Sequence, residues 1–310
     1  MHRALIAPLA LVALLVLLPV QLSSSTEPPR AHSIRGMFHG SPIVVRTTTE
    51  LGGAIYSLTW NGKEFLNSAD HGRELQSASS FDGLGEGYNP TEAGASADRL
   101  RSTSVVHSLR ASGNILQGET QMAFWSSGLS DHVLRRKVTI GFQGIPNVIQ
   151  HLVTFVVPET HKTATFEALT GYMPPGFSRF YSYDPATRTL SELSDGPGEQ
   201  PLPVILAAPN GAYAMGVYSP HSTAFRKGGY GRWRFRAQRT VKWNCVYRRT
   251  TIMPGDYPTE CFSIVGSLDD VKHAISQLHE YFSHPAQSPS SRESCRRPGR
   301  CLHEHQNSGT

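Results

Sequence analysis

The sequence predicts an all-β protein, one large antiparallel β-sandwich closed by a single C-terminal helix. Three observations carry this. Runs rich in Val, Ile, Thr and aromatic residues recur roughly every ten to fifteen residues, bounded by Gly, Pro or Asn. Two of the boundaries, Asn61-Gly62 and Gly113-Asn114, are hairpin turns. Strand patterns follow one another without helical patterns between them, which argues for antiparallel pairing over βαβ units.

In chain order, 43–49 (IVVRTTT) is β-branched, and 54–60 (AIYSLTW) alternates before the Asn61-Gly62 turn returns it as 63–67 (KEFLN). Residues 102–112 meet 114–125 through the second turn. Runs at 132–142, 148–157 and 162–173 follow, then 203–209, 212–219, 232–238, 241–249 and 260–266. The one helical period is 267–282. Ser267 suits its N-cap, Asp269 and Asp270 its first turn, and Leu268, Val271, Ala274, Ile275, Leu278 and Phe282 form one stripe. This helix is expected to pack outside the sheets, with His273 and His279 facing solvent.

The ends read differently. His2 and Arg3 precede an apolar run over 4–20 and a cluster of serines, the pattern of a signal peptide over 1–25. Left uncleaved, the same run would be a membrane anchor. The folded domain is expected over 36–283. The segment 284–310, rich in Ser, Pro and Arg, reads as a disordered tail. A secreted or periplasmic location follows, with no membrane span once the leader is cut. Net charge is +5, much of it carried by Arg3 and the tail, so no nucleic-acid field is indicated.

Four cysteines are present. Cys245 and Cys261 lie on two strand-like runs that can pair antiparallel, and an exported chain permits a disulfide between them. Cys295 and Cys301 can close a small tail loop. Cys301, His303 and His305 stand close together, but a floppy tail is a poor zinc scaffold, and no metal is expected. No Walker loop, HExxH, dinucleotide fingerprint or G-x-S-x-G occurs, so no cofactor is expected.

One run carries a family resemblance: Gly52, Gly53, Ile55, Ser57, Leu58, Trp60 and Gly62-Lys63-Glu64. It resembles an early hairpin of galactose mutarotase-like proteins, the aldose 1-epimerase type of β-supersandwich, with the match centred on 51–67. The resemblance implies a supersandwich and sugar recognition. That fold also hosts polysaccharide lyases, glycoside hydrolases and non-catalytic sugar-binding domains. The epimerases carry an early Asn-Arg pair, a His-centred motif and a late Glu base. This chain has no Asn-Arg dipeptide, and Glu260 stands beside Cys261 in a strand run, so no catalytic residue is carried over.

Two further segments draw the site reading. The stretch 70–94 (DHGRELQSASSFDGLGEGYNPTEAG) is polar and glycine-rich, as binding loops on rigid scaffolds are. Arg73, Gln76 and Asn89 are its candidate sugar ligands, and Tyr88 can stack on a sugar face. Its 80–94 part is expected over an open concave face, with Glu92 directed into it. Glu92 and Asp98 are a candidate hydrolase pair. A uronate lyase would draw its carboxylate clamp, base and acid from Arg73, His71, Tyr88, His132, Tyr172 and Tyr218. The bland alternative is that Arg73 forms a buried ion pair with Glu92 or Asp98. The second segment, 225–249, holds nine Lys or Arg, and no Asp or Glu occurs between Glu199 and Asp256. Arg232, Arg234 and Arg236 alternate with Trp233 and Phe235. Either a solvated basic face covers an aromatic core, or Arg232 and Arg234 line a cleft for an anionic glycan.

The expected function is an exported carbohydrate-active protein that binds and processes a glycan by lyase or hydrolase chemistry. The alternatives are a non-catalytic carbohydrate-binding or envelope protein, and a sugar epimerase.

Overall fold

A computed structural model describes residues 31–68, 72–95, 101–220 and 226–284. The leader, the tail cysteines and the candidates His71 and Asp98 lie outside those residues.

Two antiparallel sheets form, one of four strands and one of fifteen. The small sheet runs in chain order: Ala31–Phe38, Ser41–Thr48, Ile55–Trp60 and Lys63–Glu64. Its first strand begins before the expected domain boundary at 36. Gly36 interrupts the apolar alternation there, yet it is required: a Cβ on Gly36 would stand 2.4 Å from Ile140 Cγ2. The Asn61-Gly62 turn forms as expected, with both residues at positive φ (49° and 72°). Glu64 stitches the hairpin by accepting from Ser57 Oγ at 2.6 Å and from the Leu58 and Leu66 N–H groups at 2.9 Å. Several residues of the family-like run are thus used in turn and stitch.

The large sheet folds over on itself. One leaf contains Ile115–Phe124, Leu129–Phe142, Ile145–Val157 and Gly255–Gly266. The other contains His161–Met173, Thr240–Ile252 and Arg226–Phe235. In the strand order they are joined by two short strands, Pro90–Thr91 and Gln76–Phe81. The leaves meet through apolar side chains, with Phe155 and Phe166 ring centroids 4.8 Å apart. Burial of such rings is the main favourable term in a fold of this kind. Residues 72–94 are therefore the corner of the sandwich, which explains why they read as neither strand nor ordinary loop.

The Cys245–Cys261 disulfide forms, with Cα atoms 6.7 Å apart. Its two strands do not pair with each other as the sequence suggested. Thr240–Ile252 pairs with His161–Met173, and Gly255–Gly266 with Ile145–Val157. The bridge crosses the core from leaf to leaf.

The helix spans Leu268–Ser283 and opens on the expected N-cap: Ser267 and Asp270 form a reciprocal capping box. It packs Val271, Ala274, Ile275 and Leu278 on the outer face of the first leaf, against Tyr183, Ile205, Phe262 and Ile264. His273 is exposed as expected, whereas His279 is half-buried. Strands Arg179–Asp184, Thr189–Glu192 and Gly198–Gln200 escaped the sequence reading, because Pro, Gly and Ser interrupt them. Among the described residues no helix is long and apolar enough to cross a membrane.

Candidate functional site

Within strand Arg226–Phe235, residues 230–235 alternate as their sequence requires, but with their faces opposite to the expectation. Arg232 pairs with Trp243 and Arg234 with Val241, both fully buried in the core. Trp233 pairs with Lys242, on the face that points away from the core. The aromatic residues are therefore half-exposed and the arginines are turned to the inner side. Side chains directly opposite in a ladder share a face, so the partner strand settles which set is outside.

Trp233, Phe235 and Tyr172 form an aromatic strip on that outer face. Tyr172 and Phe235 stack at 6.5 Å between centroids. The Lys242 ammonium sits 4.9 Å from the Trp233 ring and 5.1 Å from the Tyr172 ring. Glu167 completes the set, its carboxylate 3.3 Å from Lys242 Nζ. Burial works against the charge on Lys242, but Glu167 and Tyr172 outweigh it and hold the ammonium above the ordinary lysine range. Lys242 is accordingly a fixed cation and donor, not a base. Beneath the strip, Asn244 and Val246 are buried, and Asn244 Oδ1 accepts from the Gly231 N–H at 2.8 Å. Next to it, Arg248 makes a two-bond fork to Glu199 at 2.6 and 2.7 Å. The arrangement offers flat apolar faces for stacking beside a carboxylate acceptor and an ammonium donor.

Arg73 lies at one end of this strip. Its Nη1 donates to the Gln238 carbonyl at 3.4 Å, in the turn that closes the Trp233 hairpin. Tyr172, a candidate for lyase chemistry, is part of the strip itself, and the other candidates are elsewhere. Tyr88 is exposed at the end of a 3-10 turn, Glu86–Tyr88, and Asn89 follows it with its carbonyl bonded to the Trp125 N–H. Gln76 is buried, and both ends of its amide are held by backbone: Nε2 donates to the Gly72 carbonyl and Oε1 accepts from the Ala93 N–H. Tyr218 lines a separate cavity of about 280 Å³ under the helix, with Tyr230, His279 and Phe282. His132 stands near the turn after Val157, beside Glu159.

Glu92 does not face an open concavity. It is 2% exposed and forms a two-point ion pair with Arg136, at 2.9 and 3.1 Å, while accepting from the Ser77 N–H at 3.0 Å. Arg136 also donates to the Gly53 carbonyl. Burial pushes the Glu92 carboxyl up, and Arg136 opposes that rise. The buried ion pair weighed for Arg73 thus exists, with Arg136 as the cation. Residues 91–95 are all buried, so only the 82–89 part of this loop reaches solvent.

The basic run is neutralised by carboxylates from distant segments. Asp195 bonds Arg236 at 2.5 Å and lies 3.0 Å from Arg234 Nε, which also stacks on Phe180. Arg232 donates to the Ser194 carbonyl, Ser194 Oγ and Gln200 Oε1. Arg232 and Arg234 therefore have internal partners and do not stand in an open cationic cleft. The residues missed in the sequence are Glu167, Lys242 and the outward Trp233. A signal for them existed in the strict alternation of 232–236, but alternation alone does not say which face is outside.

Comparison with protein-family models and with curated proteins finds no match. Solved structures that are similar include a heparan sulfate lyase from Pedobacter heparinus, at 8% identity over 77% of this chain and 35% of that one, TM-score 0.45. An alpha-galactosidase from Lactobacillus brevis is 9% identical over 77% of this chain and 39% of that one, TM-score 0.45. A galactose mutarotase related enzyme from Lactobacillus acidophilus is 11% identical over 76% of this chain and 98% of that one, TM-score 0.45. The chain spans about a third of the length of the lyase it matches.

Proposed function

We propose that the outer face carrying Tyr172, Trp233, Phe235, Lys242 and Glu167 is a carbohydrate-binding face, in an exported protein. The observation that carries this is the half-exposed aromatic strip beside a Lys–Glu pair. Aromatic rings stack on the C–H faces of sugars, and the charged pair supplies an acceptor and a donor for hydroxyls, the usual composition of a polar ligand site. The ammonium also suits a carboxylated or sulfated sugar. The Cys245–Cys261 bridge fits an oxidising compartment, in keeping with the leader.

Recognition is the first reading and turnover the second. Hydrolysis by a pair containing Glu92 is not carried forward, since that carboxylate is consumed by Arg136. A lyase-type reaction is favoured by one contact, the Tyr172 ring against the Lys242 ammonium, which places a phenol beside a fixed positive charge. The test is a panel of neutral and anionic polysaccharides, read by binding isotherm, new reducing ends and unsaturated uronates. Wild-type binding that Trp233→Ala weakens at least tenfold supports the face. Binding that Trp233→Ala leaves intact rejects it, and product formation separates an enzyme from a binding module.

A further inference from the structure

His132, Glu159 and His161 bring three metal-binding atoms within 4.8 Å of one another. They come from two places in the chain. His132 is on strand Leu129–Phe142, and Glu159 and His161 flank the turn between Ile145–Val157 and His161–Met173. The two imidazoles stack on Phe81, with centroids at 4.8 and 4.2 Å, which fixes both rings. His132 Nε2 and His161 Nε2 each lie 3.1 Å from the same Glu159 oxygen. The other nitrogen of His161, Nδ1, lies 3.1 Å from Asp82 Oδ2.

The hydrogen count of His161 is informative. A neutral imidazole has one N–H, yet both of its nitrogens face a carboxylate oxygen. Asp82 is the better-placed acceptor, because its other oxygen is anchored by the Lys162 and Thr163 N–H groups at 2.8 Å. With the proton on Nδ1, the Nε2 lone pair points at the Glu159 oxygen. A cation among the three ligand atoms would take up that lone pair and the Glu159 oxygen together. A carboxylate holding the far nitrogen of a ligating histidine is the usual support of such a ligand. Four-coordinate zinc, with bonds of about 2.0–2.1 Å, spaces its ligand atoms about 3.3 Å apart. The two separations to the Glu159 oxygen, 3.1 Å each, are close to that edge length, and the two imidazole nitrogens lie within 4.8 Å of each other.

We propose that His132, Glu159 and His161 bind a divalent transition cation of the zinc class, with Asp82 as the positioning residue. Two imidazoles and one carboxylate select zinc, cobalt or nickel over calcium or magnesium. The two histidines are nearly buried while Glu159 is half-exposed, so the remaining coordination position faces solvent. Bound there, the cation ties the turn after Val157 to Asp82, the first residue of the solvent-reaching loop 82–89.

The experiment titrates zinc, and cobalt as the visible-absorption probe, into chelator-treated full-length protein purified without a histidine tag. One cation per chain is expected, with cobalt d–d bands that zinc displaces. Asp82→Asn should weaken binding by about 10–100-fold. Glu159→Gln, at an exposed position that spares the fold, should weaken it at least tenfold, and His161→Ala should remove it. Absence of stoichiometric binding by the wild type overturns the proposal, and leaves the three side chains joined by hydrogen bonds alone. Binding that survives unchanged in Glu159→Gln overturns it as well, and places the cation elsewhere, for instance at His303 and His305.

Discussion

The indole of Trp233 folds back over Gly231, so that a Cβ built on Gly231 would stand 2.2 Å from ring atom Cη2. The same Cβ would meet Asn244 Oδ1 at 2.6 Å. The glycine is what lets the ring lie against the sheet and present its other side. Gly231→Ala is therefore expected to displace the indole, and to weaken glycan binding at least tenfold, about 1.4 kcal/mol. Isotherms for Gly231→Ala and Trp233→Ala measured on the same polysaccharide check this. Normal affinity in the alanine variant at 231 would show that the ring's position is irrelevant to binding.

Arg73, a candidate from the sequence, stands at one end of the strip that Tyr172, another candidate, helps to build. Arg73→Lys keeps the charge but loses the planar fork that reaches the Gln238 turn. We expect a tenfold or greater loss of glycan affinity with an unchanged melting temperature. A drop in melting temperature with intact binding would assign Arg73 to the turn alone.

Glu92 and Arg136 are expected to act on stability. Removing one partner of a buried ion pair leaves the other uncompensated, a cost of about 3–5 kcal/mol. Glu92→Gln should lower the urea midpoint accordingly, with any loss of binding following the unfolded fraction. A Glu92→Gln protein of wild-type stability would contradict the assignment.

His151 supplies a pH dependence. It is fully buried, with Nε2 2.9 Å from Ser263 Oγ, and burial followed by the nearby Arg136 charge pushes its imidazole down to about 3. The unfolded chain takes up this proton near pH 6.5, while the folded chain does not until about 3. Its contribution is thus complete above pH 6.5 and lost as pH falls from there towards 3, at up to about 1.4 kcal/mol per unit. Urea midpoints at a series of pH values, compared with His151→Leu, should show a slope reduced by about one proton in the variant. An identical slope would remove His151 from the account.

The Cys245–Cys261 bridge closes a loop with a sequence separation of 16 between leaves that share no backbone ladder along those strands. Replacing both cysteines by alanine should cost about 3 kcal/mol, with folding retained under mild conditions. Equilibrium denaturation of the double variant decides it; no loss would mean that apolar packing alone sets the leaf spacing.

The class of fold was legible in the residues alone, because a period of two and its turn residues are local facts. Asn61-Gly62 demands positive φ, Ser267 with Asp270 demands a helix start, and both were legible without partners. The sequence also showed that Trp233 and Phe235 oppose Arg232 and Arg234 on one strand. Which side is outside is not local: it depends on Lys242 and Trp243 in the neighbouring strand and on the leaf that Trp243 meets. Tertiary structure alone decided that Arg136 takes Glu92, that Asp195 takes Arg234 and Arg236, and that Glu167 reaches Lys242. A carboxylate far along the chain can neutralise a basic run, and charge pairing over such separations is set by the sheet that brings the strands together.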